Sequence, residues 1–329
     1  MKSMDEIGQL YAPIYQRFGN EELLSSVRPL LAHYTSIDVM QKITQHEEVW
    51  FSNPLFMNDW EEMRFGMIEG TRLVTDQANL RQAGETPERA AAIEQHYNAL
   101  QSKYQNEGAF DTCIFCLSQH KPEDNDGLLS MWRGYGGQGR GAAIVFDANQ
   151  LTLMPTSPLL IVKVSYASTP DRMADMSALV AQWASITREA KLPMEQLYAA
   201  SWHAYSMVLN YALTTKHLGF GEEQEWRIIY TADRDVGRLL RHCLGYQITD
   251  NGAEPKLKYR VGHIDNVSAP DLALEKLVDR IILGPSLSSP LAVKGVVRMF
   301  ENMNKPGYIP KLRASSIPFR PTDRLHARR

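Results

Sequence analysis

The sequence is poor in cysteine and has no long hydrophobic segment. Only three cysteines occur in 329 residues, and nowhere do about 18 apolar residues run together, as a membrane-spanning helix would require. The first residues, MKSMDEIGQLY, lack the apolar run of a secretory signal peptide. We therefore expect a soluble cytoplasmic protein that does not associate with membranes.

Two of the cysteines, Cys113 and Cys116 in DTCIFCLS, have the spacing of redox and zinc motifs. No second pair exists, which excludes a four-cysteine zinc site. The segment alternates like a buried strand, so the two thiols point to opposite sides. We expect structural rather than redox-active thiols, because free cysteine behaves as a small hydrophobe.

Common cofactor and metal motifs are also missing. No glycine-rich dinucleotide fingerprint follows a predicted strand, and neither GxxxxGK nor HExxH occurs. The glycine-rich segment GYGGQGRG leads into a predicted strand, so it lacks the helix N-terminus that would hold a phosphate. We expect a close hairpin approach there, with a flexible ligand loop as the alternative.

The composition is that of an ordinary globular protein. Apolar residues make up 44% and charged residues 22% of the chain, and the net charge is -3. These values indicate no polyanionic partner, although a local basic groove stays open as an alternative. The basic C-terminal segment FRPTDRLHARR is expected to be a solvated tail.

The hydrophobic pattern predicts an α+β fold in which helical insertions separate short strands, without the strict alternation of a doubly wound sheet. Ser36 is expected to cap a short helix, and Thr86 before Pro87 to start another. We predict a helical extension at 1–29 and a core at 30–290. The core carries a solvated helical insertion at about 62–105 and a second helical insertion, with an apolar core-facing stripe, at about 172–217. A C-terminal helix with a basic tail follows at 291–329. The predicted strands are EVWFS, FDTCIFCLS, GRGAAIVFD, LLIVKVSYA, WRIIYTA, KLKYRVG and VDRIILGP.

Polar residues cluster at predicted strand ends in four segments. Each has an ordinary structural explanation: a core histidine, an Asn–Asp turn, packed aromatic rings or a solvated glutamate run. Together with CIFCLS and RIILGP, their order over about residues 30–290 resembles domain-of-unknown-function family 2971 (DUF2971). Met57, Trp60 and Leu117 depart mildly from the family pattern. The four segments are HYTS (33–36), FMNDWEE (56–62), SMWRGYG (130–136) and EEQEWR (222–227).

A second resemblance concerns chemistry. HYT on an early strand, an aromatic residue in mid-chain and EQEWRII at the start of a late strand are similar to the pattern of ADP-ribosyltransferase folds. This resemblance implies a split β-sheet core and NAD as the substrate. It also implies transfer of ADP-ribose to a macromolecular acceptor, protein or nucleic acid, in phage defence or as a toxin. A toxin would suggest a neutralising partner protein.

The same resemblance assigns catalytic roles to two carboxylates. Nicotinamide leaves NAD as a cationic group, so bond cleavage needs a carboxylate near the developing ribose cation rather than a general acid. Glu225 is expected to bind the ribose 2′-hydroxyl and stabilise that cation. Glu223 is expected to lie on the same side, if the turn is extended, and to contact the acceptor, while Glu222 faces solvent.

Other residues are assigned to NAD binding. His33 would bond the adenosine ribose, with Thr35 on the same strand face. Tyr135 or Trp132 would stack on nicotinamide, and Arg227 would pair with Glu225 or with the pyrophosphate. Asn58 belongs with Asp59 at the rim of the site, without a derived role.

Three alternatives stay open. A metal-dependent nuclease would need histidine and carboxylate ligands, but His33 is the only histidine within the motifs. The predicted helix separates His203 from His217 by about 21 Å, too far to share an ion. A non-catalytic binding or regulatory module of a defence system predicts that Glu225 can be replaced without loss. An NAD glycohydrolase would differ only in using water as acceptor.

Overall fold

The computed structural model describes residues 1–18, 29–57, 60–250 and 252–319. The α-helices within these ranges are α1 (Met4–Tyr15), α2 (Ile37–His46), α3 (Trp60–Val74), α4 (Gln77–Gly84), α5 (Pro87–Lys103), α6 (Leu129–Gly134), α7 (Thr169–Ala190), α8 (Leu197–Thr214), α9 (Leu274–Leu277) and α10 (Pro290–Asn302). The strands are β1 (Leu30–Thr35), β2 (Glu48–Ser52), β3 (Cys113–His120), β4 (Ala142–Asp147), β5 (Leu159–Lys163), β6 (Ser165–Ala167), β7 (Thr215–His217), β8 (Glu225–Tyr230), β9 (Leu244–Thr249), β10 (Gly252–Arg260), β11 (Val278–Leu283) and β12 (Leu312–Ala314).

A mixed, open 10-stranded sheet forms the centre of the molecule. Its main path runs β12-β11-β4-β1-β3-β2-β10-β9, and β8 and β5 branch from β3. The β11–β12 pair is parallel, while β4, β1, β3 and β8 pair antiparallel. This arrangement confirms the α+β class and the expectation that the sheet is not doubly wound.

The sheet forks at β3. β8 pairs along one edge of β3 from Cys113 to Ser118. The other edge is shared, because β1 pairs with residues 118–120 and β2 pairs only at Ile114. Among the described residues, 115–117 of β3 therefore have no strand partner on that edge. β1 and β2 separate from each other along these three residues.

Apolar cores cover both faces of the forked sheet. One core joins α1, α3, α4, α5, α7 and α8 to the sheet through Ile114, Val162 and Ile229. The other contains side chains of α2, α9 and α10 and reaches the sheet through Phe115 and Ile228. Because neighbouring strand residues point to opposite faces, β3, β5 and β8 contribute to both cores.

The predicted helix starts at Ser36 and Thr86 are confirmed. The Ser36 hydroxyl accepts a hydrogen bond from the Val39 amide at 3.1 Å. Thr86 accepts one from Arg89 N at 3.4 Å, with Pro87 in the first turn of α5. Each cap satisfies an amide that the helix itself leaves unpaired.

The region at about 62–105 is helical, as predicted, but its helices are packed into a core rather than solvated. Ile93, Tyr97 and Leu80 are buried in the same core as α7 and α8. The polar residues of this region are explained by the solvent-facing sides of its helices. One apolar stripe is enough to hold an amphipathic helix against its neighbours.

The second helical stretch ends earlier than predicted. α8 stops at Thr214, and Thr215–His217 form β7, which pairs in parallel with β6. Two consecutive threonines favour extended backbone because their χ1 angles are restricted in a helix. His217 is therefore not on the helix of His203, and the distance derived from such a helix does not apply.

Two further strands, β9 and β12, were not predicted. In β9, Tyr246 and Ile248 are exposed, so no buried alternation marks the strand. None of the helices in the described ranges combines the length and apolarity needed to cross a bilayer.

Candidate functional site

A cavity of about 200 Å³ lies at the fork of the sheet. The two diverging strands and β3 form its apolar wall, while β7, β8 and the turn before β8 form its charged wall. The apolar side is lined by Ala32, His33, Tyr34, Trp50, Ser52, Met57, Ile114, Phe115, Cys116, Leu117, Ser118 and Met131. The charged side is lined by Tyr135, Lys216, Glu223 and Glu225.

Glu225 is the first residue of β8 and is buried beside the cavity. Strand pairing places it opposite Ser118, and its backbone amide donates to the Tyr166 hydroxyl at 2.8 Å. Arg227 lies two residues further on the same face and donates Nε to Oε1 at 2.8 Å and Nη2 to Oε2 at 3.0 Å. This two-point contact fixes the carboxylate plane.

Arg227 itself is 5% exposed and lies under the site rather than in it. Its Nη1 donates to the Leu213 carbonyl at 2.8 Å, where α8 ends. The predicted pairing with Glu225 is confirmed. The alternative role on a pyrophosphate does not fit this position, because the guanidinium is enclosed by Glu225 and the helix end.

Lys216 connects the two glutamates. Its Nζ lies 2.6 Å from Glu223 Oε2 and 3.4 Å from Glu225 Oε2, and it sits 4.6 Å from the centre of the Phe220 ring. The side chain is 1% exposed, so water contributes little to solvating its charge. Two cations and two carboxylates thus form one buried, balanced network.

A tight turn brings Glu223 to this network. The backbone forms a 3-10 helix from Leu218 to Glu223, and Gln224 is left-handed, with φ 43°. Ser118 Oγ donates to the Glu223 carbonyl at 2.6 Å, and Tyr135 Oη donates to Glu223 Oε1 at 2.9 Å. The two carboxylates converge as predicted, but through a left-handed residue rather than through an extended turn.

The pKa of Glu225 is lowered to about 2. Burial alone would raise the pKa, but the nearby Arg227 charge and its hydrogen bonds lower it, and Lys216 adds to this effect. Glu225 is therefore ionised throughout the neutral range. Glu222, in contrast, is exposed, as predicted from its place in the turn.

His33 lies on the opposite wall, where β1 leaves β3. Its Nδ1 is 3.1 Å from the Cys116 carbonyl, and its ring packs in a tilted arrangement against Phe115, with 4.6 Å between the ring centres. Because a carbonyl can only accept, Nδ1 carries the proton. Burial lowers the pKa of His33, although the bond to Cys116 opposes this. The ring is therefore neutral, and Nε2 is an acceptor.

The His33 ring also spans the fork. It bonds the Cys116 carbonyl at a point where β1 no longer supplies a ladder bond to β3. The imidazole thereby satisfies a buried backbone group that the divergence of the strands would leave unpaired.

The two candidate aromatic residues have different surroundings. Tyr135 is 41% exposed at the cavity mouth. Trp132 is fully buried, packs edge-on against Tyr34 at 4.9 Å and donates Nε1 to the Asp126 carbonyl at 2.8 Å. Trp132 does not line the cavity and cannot stack on a ligand there. Its role is to support Tyr34, which does line it.

Thr35, another predicted site residue, is not brought to the cavity. Thr35 is buried at the end of β1, where it pairs with Ala142, and does not line the cavity. Thr35 is therefore not placed in the site: it is the last residue of β1, beyond Ala32, His33 and Tyr34, which line the cavity. Asn58 and Asp59 lie outside the described residues.

Sequence reasoning missed Lys216, Ser118 and Tyr166. Lys216 follows a long apolar helix in YALTTKHLGF, and a lone lysine between two structured segments is a weak signal of a buried charge. Its backbone position depends on Glu62, whose Oε2 accepts from His217 N at 3.1 Å and pairs with buried Arg172 at 2.7 Å.

The cysteines behave as predicted. Cys113 is buried and Cys116 is partly buried, and both are free thiols. Burial raises the pKa of Cys113 to about 12, which disfavours the reactive thiolate. Within the described ranges, no group of three or more His, Cys, Asp or Glu side chains converges as metal ligands.

Comparison with protein families identifies one match. The model of the family described as "Protein of unknown function (DUF2971)" matches residues 131–228, which confirms the resemblance to DUF2971 over this segment. The segment includes Tyr135, Lys216, Glu223 and Glu225, but not His33. No curated protein and no solved structure matches the chain.

Proposed function

We propose that this protein is an NAD-dependent ADP-ribosyltransferase that cleaves the nicotinamide–ribose bond in the cavity at the fork. The observation that carries the proposal is the convergence of Glu223 and Glu225 on one side of a forked sheet, opposite the neutral ring of His33. The forked strand arrangement is compatible with the split-sheet core of that superfamily. The acceptor of ADP-ribose is proposed to be a protein or nucleic acid.

Glu225 has the properties that the bond-breaking step needs. It is ionised, buried and held rigidly by Arg227, so it does not reorganise as the ribose cation develops. The ribose 2′-hydroxyl would donate to this carboxylate, which also accepts from Arg227 and from the Cys116 thiol. The electrons of the broken bond return to the ring nitrogen and neutralise the nicotinamide cation.

Glu223 is the better candidate for activating the acceptor. Its side chain is 15% exposed, against 6% for Glu225, so it is closer to an incoming molecule. The acceptor nucleophile forms the new bond to the ribose carbon, and its proton passes to the Glu223 carboxylate. Tyr135 positions that carboxylate through its hydrogen bond to Oε1.

The cavity dimensions restrict how NAD would bind. Sites that enclose a whole small ligand usually measure about 300–1,000 Å³, whereas this cavity measures about 200 Å³. Only the nicotinamide-ribose end would enter. His33 Nε2 would accept from a ribose hydroxyl, and the exposed Tyr135 ring would cover nicotinamide at the mouth.

Nicotinamide release from NAD tests the proposal, measured with and without cell lysate. We expect Glu225→Gln to lower the rate by about 100-fold or more, because the uncharged amide cannot stabilise the cation. Glu222→Gln is the matched control, since it makes the same change three residues away on an exposed side chain. The control should retain the wild-type rate.

The products distinguish the remaining alternatives. Labelled ADP-ribose attached to a macromolecule in the lysate supports transfer, whereas free ADP-ribose alone would assign water as the acceptor and make the protein a glycohydrolase. Absence of both nicotinamide release and NAD binding would overturn the proposal. A non-catalytic binding module would then be the better description.

A further inference from the structure

A second cavity lies in the helical layer, away from the fork. It measures about 530 Å³, within the range of about 300–1,000 Å³ typical of small-molecule sites. α3 forms one side, and the end of α5 with the following turn forms the other. Its apolar lining consists of Leu55, Met63, Met67, Ile68 and Ala109, with Tyr104 on the other side. Its polar lining consists of Arg64, Thr71, Arg72, Gln101 and Gln105.

The floor of this cavity contains an unpaired buried acceptor. Gln101 lines the cavity and is 8% exposed, and its Nε2 donates to Thr71 Oγ1. Its Oε1 has no hydrogen-bond partner among the described residues. An unpaired buried carbonyl costs about 1–3 kcal/mol. A ligand that donates a hydrogen bond to this oxygen would remove that cost.

The backbone beside Gln101 is also unusual. Residues Tyr104–Gly108 form a π-helical turn, closed by a bond of 2.7 Å from Ala109 N to the Tyr104 carbonyl. Such turns widen a helix by one residue and occur often at functional sites. Here the turn carries Tyr104 and Ala109 on the cavity wall.

We propose that this cavity binds a neutral, largely hydrocarbon small molecule that donates one hydrogen bond to Gln101 Oε1. Arg64 and Arg72 also line the cavity, but both already have partners, which is Glu69 in the case of Arg72, so the lining requires no ionic group on the ligand. Met63 and Met67 are flexible and fit irregular apolar shapes. Gln101 lines the cavity, so a ligand there contacts this side chain. This site is independent of the proposed activity.

N-Phenyl-1-naphthylamine is a suitable probe, because it is neutral, apolar and carries one N–H, and it fluoresces more strongly in apolar surroundings. We expect saturable binding to the full-length protein. Gln101→Met should weaken binding about three- to tenfold, the value of one hydrogen bond. The N-methylated probe, which has no donor, should bind both proteins equally.

A second variant tests whether the probe binds in this cavity, and it leaves Gln101 unchanged. Ile68 is 51% exposed at the cavity wall, and Ile68→Trp should obstruct the cavity and weaken binding by about tenfold or more. Leu291→Trp is the matched control, because Leu291 is 82% exposed and lies on α10. It should bind the probe as the wild type does.

Three results would overturn the proposal. They are the absence of saturable binding, wild-type affinity in Ile68→Trp, and equal weakening of both probes by Gln101→Met. Sedimentation velocity addresses another occupant. If two copies of the chain cover the cavity, Ile68→Trp would change the oligomeric state and the wild type would lose probe binding as protein concentration rises.

Discussion

Lys216 holds the two site carboxylates together, and its replacement tests the charge balance. Lys216→Met keeps the apolar stem but leaves Glu223 and Glu225 facing each other with Arg227 as the only remaining cation of the network. Removing one partner of a buried ion pair typically costs about 3–5 kcal/mol. We expect a loss of that size in the free energy of unfolding, measured by urea titration at pH 7.

The control for this change is Lys42→Met. Lys42 pairs with Asp38 at 2.8 Å, but both side chains are more than half exposed. An exposed pair of this type contributes about 0.3–0.5 kcal/mol, so the variant should unfold at nearly the wild-type urea concentration. Equal effects of the two substitutions would contradict a buried, balanced network.

Glu225 makes stability depend on pH in a defined window. Its pKa is about 2 in the folded protein, against 4.5 for the unperturbed group. The depressed pKa contributes on the order of 3 kcal/mol to the free energy of unfolding. This contribution is fully present above about pH 5 and is lost as the pH falls toward 2. The Glu225→Gln variant lacks this stabilising contribution at every pH.

Urea unfolding at pH 6, 4 and 2.5 checks this dependence. The difference in unfolding free energy between wild type and Glu225→Gln should be largest at pH 6 and should shrink as the pH falls. For Glu222→Gln the difference should stay near zero at all three values, since Glu222 is exposed. A constant difference for Glu225→Gln would show that its carboxylate is not selectively stabilised by folding.

At the residue scale, the sequence predicted the carboxylates better than their partners. The period of two along EEQEWR was enough to group Glu225 with Arg227, because both lie on the same strand. The contacts of Lys216 with the two glutamates could not be predicted, since they depend on the position of a separate short strand, β7, in the folded protein. Trp132 was misjudged because its sequence neighbours do not reveal that Tyr34 covers it.

Among the elements, α3 packs closely against α8 at Gly66. A β-carbon on Gly66 would lie 2.7 Å from the Ala212 backbone. Gly66→Ala should therefore destabilise the protein by about 1–3 kcal/mol, as overpacking does. Gly8→Ala in α1 is the control, because nothing lies within 4 Å of its β-carbon. It should stabilise by up to about 1 kcal/mol, and both changes can be measured by urea unfolding.

The elements were predictable where their pattern is local. Strands with buried alternation and helices with side-chain caps were predicted at nearly their observed positions. β7, β9 and β12 were missed because two of them are three residues long and β9 has exposed apolar side chains. The fork could not be inferred either, since it depends on which residues of β3 pair with β1 and β2.

For the whole molecule, we expect one cooperative unfolding transition. Neighbouring residues such as Ile228 and Ile229 belong to opposite cores. Disrupting their strand would therefore expose side chains of both cores to water. Far-UV circular dichroism and tryptophan fluorescence should therefore give coincident urea transitions. In Trp183→Phe, the remaining tryptophans should report the same midpoint as circular dichroism, and separate midpoints would identify two independent units.

The family match covers only part of what forms the site. Residues 131–228 supply the charged wall, whereas His33, Trp50 and Met57 of the apolar wall come from earlier in the chain. A fragment limited to the matched segment would therefore contain Glu223 and Glu225 without the surface that faces them. The proposed activity should be measured on the 329-residue chain for this reason.

The divergence of β1 and β2 has a consequence for how the site can change during evolution. Insertions or substitutions in β2 and the loop after it reshape one wall, and β3 separates that wall from the carboxylates of β8 and the turn before it. The shape of the cavity can thus change while Glu223 and Glu225 keep their geometry. Divergent relatives are expected to vary most at the positions of Trp50, Ser52 and Met57 and least around Glu225.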